Sequence, residues 1–308
     1  MTDLAVIVAT VGRPERLERL LETLSQQDLP PDRFELFVVI DGSHTESVEV
    51  LRRWREQLPQ LRWQETGHRR GPAAARNVAW RATSGKIVAM TDDDCEPDAG
   101  WLSALLAAFE QDPELGVALG RTVTDRSRVT PFSHYVENHA GEGHQTCNSA
   151  YRRAVLEQLD GFDERFPAAY LEDTDLFCRA TRVCRHQFVR DALVVHPPRE
   201  AGIKDVARSA LKFESDFIFY QKDPKLYRSR HEGRGPLVTV LLDVSIKYAL
   251  KQVLIQGAWL RRRPLLFARY AWAMFLFAVN LWLHLPEFWF RHRDTGSGVG
   301  VLAGGKGA

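Results

Sequence analysis

The stretch Lys86–Asp98, KIVAMTDDDCEPD, decides how the chain is read. It begins as an apolar run of strand character and then places three adjacent carboxylates, Asp92, Asp93 and Asp94, on a loop at the strand's end. Like charges this close repel one another, so they call for a cation. Hard carboxylate oxygens at a rigid strand end suit Mg²⁺ or Mn²⁺, with substrate phosphates completing the shell. A solvated acidic loop is the alternative.

Working outward, short β-rich runs alternate with helix-period segments: LAVIVAT, PERLERLLETL, FELFVVIDG, ESVEVLRRWREQL, LRWQET and GPAAARNVAWRAT. The alternation predicts βαβ units on a mainly parallel sheet. In the first helix Pro14 suits the first turn, and Leu17, Leu20, Leu21 and Leu24 recur at the spacing of a buried stripe. A second strand, FVVIDG, also ends in acid, at Asp41. Ligands of open α/β sheets gather at the carboxyl ends of the strands, so Asp41 and the three later acids point to one crevice. Preceding Gly42 and Ser43, Asp41 equally suits a turn or a helix cap.

The 308 residues exceed the usual span of one hydrophobic core, which predicts a large domain with an appendage or two domains. An apolar fraction of 44% is ample for a packed interior, and 41 basic against 40 acidic residues give no global attraction for nucleic acid. MTDLAVIVAT carries Asp3 and no basic segment ahead of its apolar run, so it reads as a first strand and not as a secretory signal. Cys95, Cys147, Cys178 and Cys184 fall in no metal or disulfide spacing, which predicts inert buried thiols in a reducing cytoplasm.

Five fragments, IVATVGRPERLERLLETL, VVIDGS, GPAAARNVAWRATSGKIVAMTDDD, TCNSAYRRAVLEQLDGFDERF and LEDTDLFCRA, stand in the order and spacing of the family 2 glycosyltransferases. Over residues 4–200 the chain resembles that family. The resemblance implies an α/β GT-A fold, Rossmann-like, with a mainly parallel sheet flanked by helices. It also implies inverting transfer of one sugar from a nucleotide donor, a UDP-sugar foremost, to a hydroxyl of a lipid-linked or growing surface-glycan acceptor.

By the same resemblance Thr10, Arg13 and Asp41 meet the base and ribose, although Gly12 stands where the family often has Asn. Gly71 and Arg76 lie beside the nucleotide, Asp92 and Asp93 belong to the donor site, and Asp94 with Asp92 holds Mn²⁺ or Mg²⁺. Asn148 falls near the donor sugar or acceptor. The family's acidic pair matches Glu172 and Asp173, with Asp173 as the base that deprotonates the acceptor. His196, and less directly Arg199, match positions that complete a metal or phosphate site. Local readings stand beside these: an acidic first turn complementing a helix dipole, with Asp175 pairing nearby, and a structural histidine at a strand end.

The domain boundaries expected are 1–200 for the GT-A domain, 201–293 for a helical, membrane-associating or packing region, and 294–308 for a flexible Gly-rich tail. DVSIKYALKQVL predicts an amphipathic helix with Asp243, Lys247 and Lys251 opposite Val244, Tyr248 and Val253. From Tyr270 to Pro286 the chain carries no formal charge apart from a protonatable His284, and Arg261–Arg263 and Arg291 with Arg293 flank it. Interrupted by Asn280 and His284, this run is short for a span and predicts a peripheral or monotopic helix on the cytoplasmic face, with Trp272, Trp282 and Trp289 at the headgroups. A helix packed on the GT-A domain is the alternative. IQGAWLRRR only loosely resembles the QxxRW motif of processive synthases, which favours single addition. Two rival functions remain: a sugar-phosphate nucleotidyltransferase, for which ATVGRPERL is a poor phosphate loop, and a non-catalytic protein that binds a nucleotide sugar or a membrane surface.

Overall fold

The computed structural model describes residues 2–292. β1 (Leu4–Thr10), α1 (Pro14–Ser25), β2 (Phe34–Ile40), α2 (Thr45–Trp54), β3 (Leu61–Glu65), α3 (Pro72–Arg81) and β4 (Ile87–Asp92) follow one another as the alternation requires. β3, β2, β1 and β4 are parallel neighbours in that order. β1 is paired on both edges and covered on both faces, which is why LAVIVAT is apolar without alternating.

The chain then forms β5 (Glu96–Pro97), α4 (Trp101–Gln111), β6 (Leu115–Val123), β7 (Ser133–His134), β8 (Ser149–Arg152), α5 (Arg153–Leu159), α6 (Glu172–Ala180), β9 (Arg185–Val195) and β10 (Arg199–Glu200). β8 inserts antiparallel between β4 and β6, β9 runs parallel to β6, and the eight-stranded sheet has the order β3-β2-β1-β4-β8-β6-β9-β5. Alternate strand residues feed two cores. Val6, Val8 and Val38 meet the α1 leucines and Trp101 on one face; Ile7, Val39 and Met90 meet Ala79 and Trp80 of α3 and Leu176 of α6 on the other.

The β6–β9 register slips between Gly120 and Arg121, where a Cβ on Gly120 would come within 2.1 Å of Asn148 Oδ1. Asn148 is buried; it accepts the Trp101 Nε1–H at 2.9 Å and donates to the Arg121 and Ala192 carbonyls, each at 2.9 Å. It ties α4, β6 and β9 together from inside.

Beyond β10 come α7 (Ile203–Arg208), α8 (Glu214–Lys222), α9 (Pro224–Arg230), α10 (Pro236–Val238), α11 (Ala249–Ile255), α12 (Ala258–Arg262) and α13 (Pro264–His292). Two sequence expectations are corrected in this region. Thr239–Tyr248 winds as a π-helix, which shifts part of the stripe expected over residues 243–253: Val244 and Val253 pack on the core and Asp243 pairs with Lys247 outside it, but Ser245 and Ala249 turn inward while Tyr248 is exposed. An i→i+5 ladder rotates successive side chains by less than the 3.6-residue period assumes. The helix is also longer than the uncharged run that read as short for a span: α13 runs through Pro286 for 29 residues, long and apolar enough to cross a membrane by length and composition. The proline forfeits one backbone bond, and α13 is held along its inner face by Tyr270, Ala273, Met274, Phe277, Leu281 and Leu285. That face packs on Phe132, Phe213 and Phe217; the Tyr270 and Phe132 rings meet edge-on at 5.3 Å. Asn280 secures the helix by donating to the Ala207 carbonyl of α7 at 3.0 Å. Arg293 and the tail expected over 294–308 lie outside the described residues.

Candidate active site at the carboxyl ends of the strands

The parallel register sets Thr10 against Ile40 and Ala9 against Asp92, so Thr10, Asp41 and the three acids emerge along one edge. Asp93 turns inward. It is 2% exposed and accepts the Thr10 hydroxyl at 2.5 Å and Arg13 Nη1 at 2.9 Å. Burial pushes its carboxyl up to about 6, with Arg13 the main counterweight. Asp41 clamps a loop: Oδ1 accepts the Arg70 N–H at 2.7 Å and Oδ2 the Gly71 N–H at 3.0 Å. Gly71, with φ of 93°, takes the left-handed turn that opens α3.

Asp94 faces a cleft of about 140 Å³ lined by Arg16, Arg19, Arg128 and Arg199. Its Oδ2 stands 3.4 Å from each of Arg13, Arg16 and Arg199. These are long for charge-assisted bonds, so three cations share one carboxylate oxygen loosely. His196, directly after β9, is buried, with Nε2 3.7 Å from Asp94 Oδ1 and Nδ1 lacking a partner among the described residues. Asp94, Cys95 and His196 bring ligand atoms within 4.8 Å of one another. A carboxylate beside an imidazole with a free nitrogen fits a divalent cation. The Cys95 thiol is a poor ligand for a hard ion, because its hydrogen bond with Cys147 and its burial push it well above the ordinary thiol range. Asp92 is not in this group.

Asp92 instead accepts Arg76 Nη2 at 2.9 Å, while Arg76 Nη1 reaches Glu172 Oε1 at 3.0 Å, 96 residues along the chain. One buried guanidinium therefore joins the strand-end acids to the Glu172–Asp173 pair. Glu172 opens α6 after Leu171, a non-glycine residue at φ 71°. Such a conformation costs on the order of 1–3 kcal/mol and persists where its surroundings over-determine it. Asp175 supplies part of that restraint, pairing with Arg179 at 2.9 Å and Lys222 at 2.6 Å.

Burial, then the charge of Asp173, push Glu172 up to about 8 against Arg76, and Glu172 Oε2 has no partner among the described residues. Burial raises Asp173 as well, but His144, the Thr174 N–H and Arg76 pull it down. Both carboxyls are raised by burial, and Glu172, at about 8, is the one that keeps a proton near neutrality.

His144, in the connection between β7 and β8, is singled out by no motif. Its ring lies flat on Phe177, centroids 4.9 Å apart and planes within 3°, and its Nε2 is 2.8 Å from Thr174 Oγ1. Asn148 is buried, and its amide is spent on the tie between α4, β6 and β9.

The profile of Glycosyl transferase family 2 matches residues 5–162, just over half of the chain. The chain belongs to glycosyltransferase family 2. Among curated relatives of this family 2 member, glycosyltransferase AglE of Haloferax volcanii is 30% identical over 98 residues, which are 32% of each chain. A 32% identical match to the poly(ribitol-phosphate) beta-N-acetylglucosaminyltransferase TarS of Staphylococcus aureus spans 16% of that protein, so the chain accounts for a third or less of these relatives' length. The crystal structure of TarS with UDP-GlcNAc superposes with a TM-score of 0.59 at 19% identity, covering 93% of this chain and 92% of that one. The mannosyltransferase PcManGT of Pyrobaculum calidifontis, in complex with GDP-Man and Mn²⁺, gives 0.59 at 22% identity over 92% and 87%. At these identities the likeness establishes the fold, and it is the GT-A fold expected from the sequence.

Proposed function

We propose that the chain is an inverting glycosyltransferase moving a single sugar from a nucleotide donor, a UDP-sugar foremost, to a hydroxyl of a lipid-linked or surface-glycan acceptor. The observation that carries this reading is the buried Arg76 fork, which couples the strand-end Asp92 to Glu172 of the Glu172–Asp173 pair. The nucleoside lies along Thr10, Arg13, Asp41 and Gly71, with Asp41 acting through the loop it clamps. The diphosphate lies among Arg13, Arg16 and Arg199, whose loose contacts with Asp94 leave them free to turn toward phosphate oxygens. A divalent ion, Mn²⁺ or Mg²⁺, would be held by Asp94 and His196 and would supply positive charge to the departing diphosphate, while Asp92, expected as a further ligand, stays paired with Arg76.

The acceptor oxygen bonds to the anomeric carbon as the bond from that carbon to the diphosphate breaks, and the electron pair leaves with the diphosphate. The acceptor's proton passes to Asp173. Asp173 Oδ1 is engaged by the Thr174 N–H at 2.7 Å, which leaves Oδ2 to receive it. A single displacement inverts the anomeric centre.

The outer face of α13 supports a seat on the cytoplasmic face of a membrane: Trp272, Phe275, Trp282 and Leu283 are 55, 55, 54 and 72% exposed. Exposed Arg261, Arg262 and Arg263 stand at its start. Because the inner face is committed to protein, an interfacial helix fits better than a span. The test of the whole reading is Mn²⁺-dependent release of nucleoside diphosphate from a panel of UDP- and GDP-sugars. No release from any donor would leave a silent binder, and pyrophosphate release from a sugar phosphate plus nucleoside triphosphate would make the protein a nucleotidyltransferase.

A further inference from the structure

We infer that His144 is a positioning residue for sugar transfer: through the Thr174 hydroxyl it holds Asp173 Oδ1, so that Oδ2 is the oxygen turned to the acceptor. The inference rests on the reading of Asp173 as the base. His144 Nε2 lies 2.8 Å from Thr174 Oγ1, and Thr174 Oγ1 lies 3.4 Å from Asp173 Oδ1. A hydroxyl has one hydrogen. If that hydrogen points to Asp173, the Thr174 oxygen must accept, and His144 must carry its hydrogen on Nε2. The opposite tautomer would draw the hydroxyl toward the ring and leave Asp173 Oδ1 with the Thr174 N–H alone. The stack on Phe177, a residue of the same helix as Asp173, fixes the ring plane so that Nε2 keeps this bearing.

The groups that face the pair are few. Asp173 feels Glu172, Arg76 and His144 and in turn acts on the phenols of Tyr151 and Tyr170; His144 feels Asp173 and Arg230. Burial lowers the imidazole from its usual range, so near neutrality the ring is uncharged and acts as a tautomer-defined donor. A donor on Oδ1 favours the ionised carboxylate, which is the form a base needs.

Two measurements on the full chain test this. Ring ¹⁵N chemical shifts of histidine-labelled protein, with His144 assigned by its loss in His144→Gln, should show an Nε2–H tautomer that weakens in Thr174→Val. An Nδ1–H tautomer, or one indifferent to Thr174, overturns the inference without any assay of turnover. The second is the pH profile of kcat with whichever sugar nucleotide is hydrolysed fastest in the presence of Mn²⁺. His144→Phe keeps the stack and removes the donor that orients the Thr174 hydroxyl; its acidic limb should move up, by less than the roughly one pH unit of a fully lost hydrogen bond to a charged group, with the donor KM unchanged. His144→Gln, which restores an amide donor, should return the limb toward its original place. An unmoved limb in His144→Phe, or no rescue by Gln, refutes the positioning role. If Asp173→Asn turns over normally it is the base assignment that fails, and the tautomer result stands apart from it.

Discussion

Glu172→Gln tests the electrostatic account of the site through stability and needs no substrate. Glu172 is 2% exposed, and its folded carboxyl, raised to about 8, binds a proton that an unfolded glutamate releases near 4.5. The stability this contributes is fully present below about pH 4.5 and is lost as pH rises through about 8. At about 1.4 kcal/mol per pH unit, the interval from about pH 5.5 to 8 is worth roughly 3 kcal/mol. Glutamine is a neutral isostere that still accepts from Arg76 Nη1, and Arg76 keeps Asp92 as its second partner. Asp93 and Asp216, pushed up to about 6 and about 7, lose stability over the same range, but they do so equally in both proteins. The difference between wild type and variant therefore reports Glu172 together with its effect on the neighbouring Asp173. For a chain of this size roughly 3 kcal/mol corresponds to about 5 °C in Tm. Thermal unfolding at about pH 5.5 and pH 9 should find the two proteins close at the lower pH and the variant about 5 °C more stable, relative to wild type, at the higher. Parallel Tm curves, or a variant that loses ground as pH rises, would refute the protonated Glu172.

Asp94→Ala should abolish Mn²⁺-dependent nucleotide binding measured by calorimetry, and retained metal-dependent affinity would remove Asp94 as the ligand. Asp173→Asn should leave donor affinity nearly intact while lowering transfer by about two to four orders of magnitude; near-normal turnover would move the role to Glu172. Phe277→Ala, at a fully packed position on the inner face of α13, should cost about 3–5 kcal/mol in denaturant unfolding, and a loss under about 1 kcal/mol would mean that α13 is not anchored through that face. Replacing Trp282 and Leu283 together by Ser and Asp should release the chain from anionic liposomes at unchanged Tm, and undiminished sedimentation with vesicles would place the membrane contact elsewhere.

The parts of this protein legible in its sequence are those whose signal is local. A central parallel strand is apolar throughout, a surface helix repeats its leucines every three to four residues, and strand ends in such sheets open on one crevice, so LAVIVAT, PERLERLLETL and the acids after β4 placed the fold and the site's edge without coordinates. The family motifs added which acids belong together. The features beyond reach depended on contacts between residues far apart in the chain. Asp92 and Asp94 are two positions apart, yet one is taken by Arg76, which also holds Glu172, and the other by His196 and three arginines, a division made only when the start of α6 and the end of β9 reach the carboxyl end of β4. Asn148 sits in a family motif but is spent on tying three elements together, in the space that Gly120 leaves by having no Cβ. His144 belongs to no pattern; stacking on Phe177 gives it a place in the site. α13 reads as a uniformly apolar run because one face meets aromatic protein and the other is left exposed, and hydropathy weighs both faces alike. Periodicity records which way a side chain points, whereas the identity of its partner is decided by the order in which strands enter the sheet.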